Sequence, residues 1–144
     1  MQTQNIKSGR FSLKQIILVA LLFMMVGTSM ELYLLDHYEG SLQLIPIICI
    51  DASLLVMLLL FIRRSRFLMR IFKLLMGISA LSGIYGVFLH LRANYEFEQE
   101  MKPTAEAWDL FVESLSGALP SLAPASMIVL ALIGYSYILL LKQK

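Results

Sequence analysis

The chain has 144 residues, of which 58% are hydrophobic and only 15% are charged. Soluble domains carry about 25% charged residues, and a chain this short cannot bury so much apolar surface in its own core, which argues against a soluble globular domain and favours a bilayer as the solvent. The single cysteine, Cys49, excludes an intrachain disulfide, a CxxC redox pair and a cysteine-based zinc site, and its apolar surroundings predict a small packing residue.

Four stretches reach the roughly 20 mostly apolar residues that a transmembrane helix needs. They cover about residues 16–35, 42–62, 67–91 and 119–141. The sequence therefore predicts an all-α membrane protein, with residues 1–144 forming a single four-helix transmembrane bundle. Ser12 and Gln15 have the spacing of a capping box that starts the first helix. The alternative for the first span is a signal peptide cleaved near Gly27 or Ser29, which would leave three spans.

The third span is predicted to project beyond the membrane. No helix breaker occurs between Phe67 and Met101, so one helix here would be about 50 Å long at a rise of 1.5 Å per residue, whereas the hydrocarbon layer is about 30 Å thick. A short amphipathic helix at about 104–116, starting near Pro103 and Thr104, is expected on the outer membrane surface. Its apolar residues recur at helical spacing, with Trp108 as the interfacial anchor: Trp108, Phe111, Val112 and Leu115.

The charges are distributed very unevenly between the two sides of the predicted bundle. Ten of the twelve basic residues lie on one side: Lys7, Arg10, Lys14, Arg63, Arg64, Arg66, Arg70, Lys73, Lys142 and Lys144. All ten acids lie on the other side or in the outer halves of spans: Glu31, Asp36, Glu39, Asp51, Glu96, Glu98, Glu100, Glu106, Asp109 and Glu113. The positive-inside rule then predicts that both termini are cytoplasmic.

Polar residues follow the third span in the stretch "HLRANYEFEQE", which begins at His90. Residues at i, i+3 and i+4 steps share one helix face, and that face carries Ser79, Ser82, Gly83, Gly86, His90, Asn94 and Glu98. Its small lower part suits close helix packing, which places His90 at the top of the face expected to point into the bundle. The alternative interpretation of the stretch is a solvated helix end.

Two acids lie inside predicted spans. Asp51 is roughly 13 Å into the second span, where an ionised acid costs about 2.5–3.5 kcal/mol on insertion scales, and Glu31 lies in the outer part of the first. Both are expected to face the bundle interior. They mark either a functional site or protonated acids hydrogen-bonded to a hydroxyl, such as that of Tyr85, Ser53 or Thr28.

These residues suggest a constellation at the outer face. Imidazole and carboxylate groups are typical ligands of zinc, iron or manganese, so Glu31, His37, His90 and Glu98 are candidate ligands of a divalent metal. The intramembrane polar residues Asp51, Tyr85 and Asn94 complete the group, with Asp51 supporting the ligands or accepting protons. Alternatively, the two histidines could hold a b-type haem by axial ligation. Neither spacing is diagnostic.

Four stretches of the chain together form a recognisable pattern: "ELYLLDHYEG", "LIPI", "LHLRANYEFEQE" and "GALPSLAP". The residues that carry the pattern are Glu31, His37, Glu39, Pro46, His90, Asn94, Glu96, Glu98, Gly117, Pro120 and Pro124. On these residues the chain resembles an uncharacterised family of small four-span bacterial inner-membrane proteins. The resemblance covers most of the chain and is weakest in the second span and the following loop. It implies a bacterial inner-membrane location and a single unit of outer-face polar residues, but it brings no activity.

Three functions therefore stay open: a metal-binding membrane protein; an accessory subunit of a larger membrane complex, packing through small-residue faces of the third and fourth spans; and a small proton-coupled transporter using Asp51 and Glu31. Four spans without an inverted repeat are few for a carrier, although a homodimer could supply the rest. The chain has no nucleophile–base pair, phosphate loop or strong cofactor motif, so an enzyme is not indicated. The "RRSR" loop is expected to contact anionic lipid rather than nucleic acid.

Overall fold

The computed structural model describes residues 12–142 and contains five α-helices and one short 3₁₀ turn in that range. The helices are α1 (Leu13–Leu34), α2 (Ser41–Ile62), α3 (Arg66–Met101), α4 (Ala107–Ser114) and α5 (Ser126–Lys142), and the 3₁₀ turn covers Ala123–Ala125. Lys7, Arg10 and Lys144, which contribute to the charge asymmetry, lie outside the described residues.

Four segments are long and apolar enough to cross a membrane: α1, α2, α3 and the stretch from the 3₁₀ turn through α5. Residues 12–142 contain no strand. The predicted all-helical class and the number of spans are therefore confirmed, and this is the pattern of a multi-pass membrane protein.

Local sequence signals explain the start of α1 and the length of α3. The Ser12 amide donates to Gln15 Oε1 at 2.8 Å and the Gln15 amide donates to Ser12 Oγ at 3.3 Å, which is the predicted capping box. Pro46 lies inside α2 without ending it. The α3 helix continues without interruption for 36 residues, or about 54 Å, so the prediction of one unusually long third helix is confirmed.

The last two predicted helices are shorter than expected. The fourth span was predicted from residue 119, but α5 begins at Ser126 behind a 3₁₀ turn that contains Pro124. Because Pro120 and Pro124 lack the amide hydrogen that a regular helix interior uses, the segment before α5 forms turns instead of a continuous α-helix. Similarly, α4 covers Ala107–Ser114 rather than 104–116, because residues 103–105 form a turn and a bend.

The long helices pack with α3 against α2 and α5, and with α1 against the same two helices. The buried core between them is made of large apolar side chains, including Leu21, Met25, Ile50, Phe72, Met76, Leu130 and Ile138. Cys49 is also buried, at 6% exposure, as expected for a packing residue. The site residues are thus attached to a framework of helices that share one apolar core.

Close contact of α3 with α5 and the 3₁₀ turn before it depends on glycine. A Cβ atom added at Gly83 would lie 2.8 Å from the Pro124 carbonyl oxygen, and one added at Gly134 would collide with the Met76 sulfur. We call this contact the α3–α5 seam. It uses the small-residue faces of the third and fourth spans inside the chain. Gly83 and Gly134 are thus covered within the chain, and docking of an external partner through those faces stays a prediction.

The two ends of the molecule differ in charge. At the basic end, the start of α1 meets the end of α2 and the end of α5, as Lys14, Arg64 and Leu141 line one shared surface groove. The opposite, acidic end holds the 35–40 connection, the last turns of α3, α4 and the segment 115–125.

Candidate functional site

The structure brings the two histidines near each other at the acidic end. His37 lies in the connection after α1 and is half-buried, as is His90 on α3. Burial lowers the pKa of His37, and the charge of His90 lowers it further. His90 Nδ1 lies 3.1 Å from the Pro120 carbonyl oxygen. Because a carbonyl oxygen only accepts, this contact requires the hydrogen of His90 on Nδ1.

The lowered pKa of His37 predicts acid sensitivity. Its ordinary value is 6.5, so the unfolded chain binds this proton more readily than the folded chain does. The stabilisation is complete above pH 6.5 and is lost as the pH falls through the lowered folded-state pKa. Thermal unfolding in mild detergent at pH 7.5, 6.5 and 5.5 should give decreasing stability, with a shallower slope for His37→Gln. An unchanged slope in that variant would assign the pH dependence to other groups.

Asn94 is the polar centre of the acidic end and is only 3% exposed. Its side-chain oxygen accepts from the Leu119 amide at 3.0 Å, while its Nδ2 lies 2.8 Å from the Leu119 carbonyl oxygen. One side chain therefore binds both backbone groups of a residue that is 25 positions away. The same nitrogen lies 3.0 Å from the Ser114 carbonyl oxygen and 2.9 Å from Ser121 Oγ, so its two hydrogens serve three acceptors.

Two serines and a glycine complete this arrangement. Ser114 and Ser121 are 1% and 2% exposed, and the Ser121 hydroxyl lies 2.9 Å from the Ser114 carbonyl oxygen. A Cβ atom at Gly117 would lie 2.7 Å from Asn94 Nδ2, so only glycine allows the backbone to come this close. We call Asn94, Ser114, Gly117, Leu119 and Ser121 the outer clamp. It fixes the segment that follows α4 to the projecting part of α3.

An ion-pair group also joins α4 to the end of α3. Lys102 Nζ lies 2.6 Å from Glu113 Oε2 and 3.6 Å from Glu98 Oε2. The hydrogen bond between Lys102 and Glu113 raises the pKa of the lysine and lowers the pKa of the glutamate. Both side chains are more than 40% exposed, where solvent screens such pairs strongly. The group therefore adds little net stability, and Glu98 pairs with Lys102 within α3 and its cap rather than across to α4.

The predicted metal site receives no support from the geometry. Within residues 12–142, no three His, Cys, Asp or Glu side chains lie close enough together to hold a metal ion. Glu31, His37, His90 and Glu98 do not form such a group. Glu31 is exposed on α1, whereas His90 and Glu98 are engaged by Pro120 and Lys102. The two-histidine haem stays a prediction.

The expected orientation of the two intramembrane acids is wrong. Both Glu31 and Asp51 are exposed on the outside of the helix assembly. Asp51 lies midway along α2, and its Oδ1 accepts a hydrogen bond from the Ser29 hydroxyl of α1 at 2.9 Å. The packed interior is occupied by larger apolar side chains from every long helix, such as Ile50 beside Asp51. Ile50 and Asp51 are consecutive residues and point in different directions around α2, so one side chain is buried and the other is exposed.

The other hydroxyls considered as partners of the acids have different roles. Tyr85 is 49% exposed and stacks on Phe88, with ring centroids 6.4 Å apart. Ser53 is buried and donates to the Cys49 carbonyl oxygen at 2.6 Å. Neither of them reaches Asp51. The hydroxyl that reaches Asp51 is that of Ser29, for which the sequence predicts only a place near a possible cleavage site.

Asp51 is surrounded by exposed apolar side chains on its own helix. Ile48, Leu55 and Leu58 are 61%, 59% and 58% exposed, and their i+3 and i+4 spacing puts them on the same side of α2 as Asp51. We call Ser29, Ile48, Asp51, Leu55 and Leu58 the Asp51 face. It presents a carboxyl group in the middle of a surface that is otherwise suited to lipid.

Sequence reasoning identified Asn94 but missed its partners. Ser114, Gly117 and Ser121 lie in a stretch that looks like an ordinary polar connection. The spacing of serine and glycine there gives no sign that one asparagine 20 to 27 positions earlier binds them. A hydroxyl at Ser29 inside an apolar span was the available sign of the contact with Asp51.

No protein-family model, curated protein or solved structure matches this chain at a significant level. The resemblance to small four-span bacterial inner-membrane proteins therefore stays a prediction. The geometry of the chain itself has to carry any functional conclusion.

Proposed function

We propose that this protein is a multi-pass subunit that assembles laterally with another membrane protein through the Asp51 face. The observation that carries the proposal is an exposed carboxyl group midway along an apolar membrane-spanning helix. An ionised acid at the centre of a bilayer costs about 2.5–3.5 kcal/mol, and the hydroxyl of Ser29 satisfies only one of its acceptor positions. A partner that covers this face removes the carboxyl group from lipid.

The occupant we propose is a transmembrane helix that carries a lysine, arginine or amide donor at the depth of Asp51. Asp51 forms no ion pair within residues 12–142, so that part of the chain supplies no cation there. An opposite charge from a neighbouring helix would compensate the acid, as intramembrane charges in proteins usually are compensated. The exposed apolar residues of the Asp51 face would pack around that pair.

The arrangement in the membrane that fits this proposal is a four-helix bundle in a bacterial inner membrane with both termini in the cytoplasm. The charge asymmetry supports it, since basic residues favour the cytoplasmic side. The basic end then faces the cytoplasm and α4 lies on the outer surface. Trp108, at 69% exposure, and Phe111 present an apolar side of α4 to the membrane interface.

The alternative functions have less support. A metal-binding role requires a group of ligands that residues 12–142 do not assemble. A proton-coupled transporter using Asp51 and Glu31 requires these acids on a path through the protein, whereas both face outward. A partner-binding role agrees with the exposed position of Asp51, because a partner can contact this carboxyl group from outside.

A pair of photo-crosslinking positions tests the proposal in intact membranes. A photoreactive amino acid is placed at Leu55, inside the Asp51 face, or at Leu74 on α3 as the matched control. The two side chains are 59% and 65% exposed, and both lie about 11 Å along their helices from the 63–65 connection. Because their exposure and depth match, contact with lipid alone would give both positions the same crosslinking yield. They differ only in the helix face they occupy.

We expect a discrete protein adduct at Leu55 and none at Leu74. Asp51→Leu should reduce the Leu55 adduct at least tenfold, while Asp51→Asn, which keeps an acceptor oxygen, should reduce it less. Adducts of equal yield at both positions, or a Leu55 adduct that survives Asp51→Leu unchanged, would overturn the proposal. An adduct with the mass of two identical chains would show that the partner is a second copy of this protein and not a different membrane protein.

A further inference from the structure

A groove at the basic end, separate from the Asp51 face, is lined mainly by cations. It lies between the start of α3 and the end of α5 and has a volume of about 430 Å³. Its lining side chains are Arg66, Met69, Arg70, Lys73, Leu141 and Lys142. Four of these six residues are basic and none is acidic. The remaining two are apolar, which gives the groove a mixed surface.

None of the four cations forms an ion pair with an acidic side chain within residues 12–142. Lys73 and Lys142 contact each other through their side chains, and Arg70 is close enough to interact with Lys142 electrostatically. Lys73 Nζ lies 5.1 Å from the centroid of the Tyr135 ring, which holds the ammonium group in place by a cation–π contact. Such like charges repel one another unless an anion lies between them.

The position of the groove indicates the source of that anion. Its walls are the ends of two membrane-spanning helices, so it lies near the level where lipid headgroups begin. Arginine and lysine side chains bind phosphate oxygens well, arginine as a planar fork and lysine as a point charge. Met69 and Leu141 add apolar contacts that a soluble phosphate would not use. Basic pockets between transmembrane helices on the cytoplasmic side are suited to anionic lipid headgroups.

From these observations we infer that Arg66, Arg70, Lys73 and Lys142 form a binding site for the phosphate-bearing headgroup of an anionic membrane lipid. The phosphate lies among the four cations, and the acyl chains leave the groove beside Met69 and Leu141. This site is independent of the Asp51 face, since it lies at the end of other helices. Its presence or absence therefore does not bear on the proposed assembly role.

The test measures lipid binding to the purified full-length protein in mild detergent. The probes are phosphatidylglycerol, phosphatidylcholine as the lipid of zero net charge, and inorganic phosphate as the soluble anion. Binding is followed by native mass spectrometry and by the rise in unfolding temperature. The test variant is Arg70→Gln with Lys73→Gln. The matched control is Arg63→Gln with Arg64→Gln, which removes the same charge at the same end, outside the groove.

We expect phosphatidylglycerol to bind and the Arg70/Lys73 variant to lose affinity by about 25-fold, or about fivefold for each basic side chain near the anionic headgroup. The Arg63/Arg64 control should lose several-fold less affinity than the test variant, because these loop side chains lie outside the groove and would attract anionic lipid only diffusely. Phosphatidylcholine should bind weakly. Equal losses in the two double variants would overturn the inference in favour of diffuse attraction to the membrane surface. Equal binding of inorganic phosphate would overturn the assignment to lipid, and equal binding of phosphatidylcholine would overturn the role of charge.

Discussion

Replacing Asn94 by leucine should release the outer segment and destabilise the protein by about 2–4 kcal/mol. The substitution removes the partner of the Leu119 amide and carbonyl and one partner of Ser121. A partly or fully buried polar group left without a partner costs about 1–3 kcal/mol. Gly117 lies so close to the Asn94 side chain that even a Cβ atom at Gly117 would collide with it, so little room is left for a side chain of another shape. Thermal unfolding in mild detergent gives the stability, and limited proteolysis within 115–125 reports release of the segment.

Gln99 provides the control for this experiment. It is an exposed polar residue on the same projecting part of α3, and Gln99→Leu should change the stability by no more than about 0.5 kcal/mol. If Asn94→Leu also left the unfolding temperature and the cleavage rate unchanged, the outer clamp would not hold the segment. Loss of stability without faster cleavage would place the effect of Asn94 elsewhere in the fold.

Replacing Gly83 by valine should open the α3–α5 seam and reduce the free energy of unfolding by about 3 kcal/mol. A Cβ atom at this position would lie 2.8 Å from the Pro124 carbonyl oxygen and 3.0 Å from Met127 Cβ. The first of these is a backbone atom, so the clash cannot be relieved by a side-chain rotation. Inserting extra atoms into a well-packed contact typically costs about 1–3 kcal/mol, and sometimes more. Unfolding in increasing denaturing detergent measures the loss.

Gly77, on the same helix, separates packing from intrinsic helix preference. Nothing lies within 4 Å of a Cβ atom placed there, so Gly77→Val should leave the stability within about 0.5 kcal/mol of the unchanged protein. Equal effects at the two glycines would show that backbone preference rather than close approach governs Gly83. The comparison also tests whether the seam is closed inside the chain in solution.

The polar end of α3 gains a structural explanation from these contacts. The stretch that begins at His90 carries the two side chains that bind the returning backbone, His90 through Pro120 and Asn94 through Leu119. Glu98 joins the ion-pair group around Lys102. By contrast, Glu96 is exposed and pairs with Arg92 one turn earlier at 2.7 Å. The stretch is thus partly a clamp and partly a solvated helix surface.

The candidate site could be predicted from the sequence only in part. Periodicity placed His90 and Asn94 on one face with Gly83 and Gly86, and that face does carry the contacts to the segment around Pro124. The absence of a helix breaker between Phe67 and Met101 also predicts the extent of α3 to within one residue. However, periodicity does not show whether a given helix face is turned toward the neighbouring helices or away from them. Asp51 was therefore assigned to the interior by the cost of burying a charge in lipid, and the structure places it outside.

Composition and charge along the chain are enough to predict a membrane environment, four spans and the sign of each end. These properties depend on the composition of stretches of about 20 residues and on the charges between them, and neighbours in space barely alter them. Helix packing, by contrast, sets the contact of Asn94 with Leu119, the approach of Gly83 to Pro124 and the outward position of Asp51 beside Ser29. Each of these contacts joins residues that are distant in sequence. They depend on how far each helix is rotated about its axis, and a rotation of 100° per residue lets a single position separate the core from the outer surface.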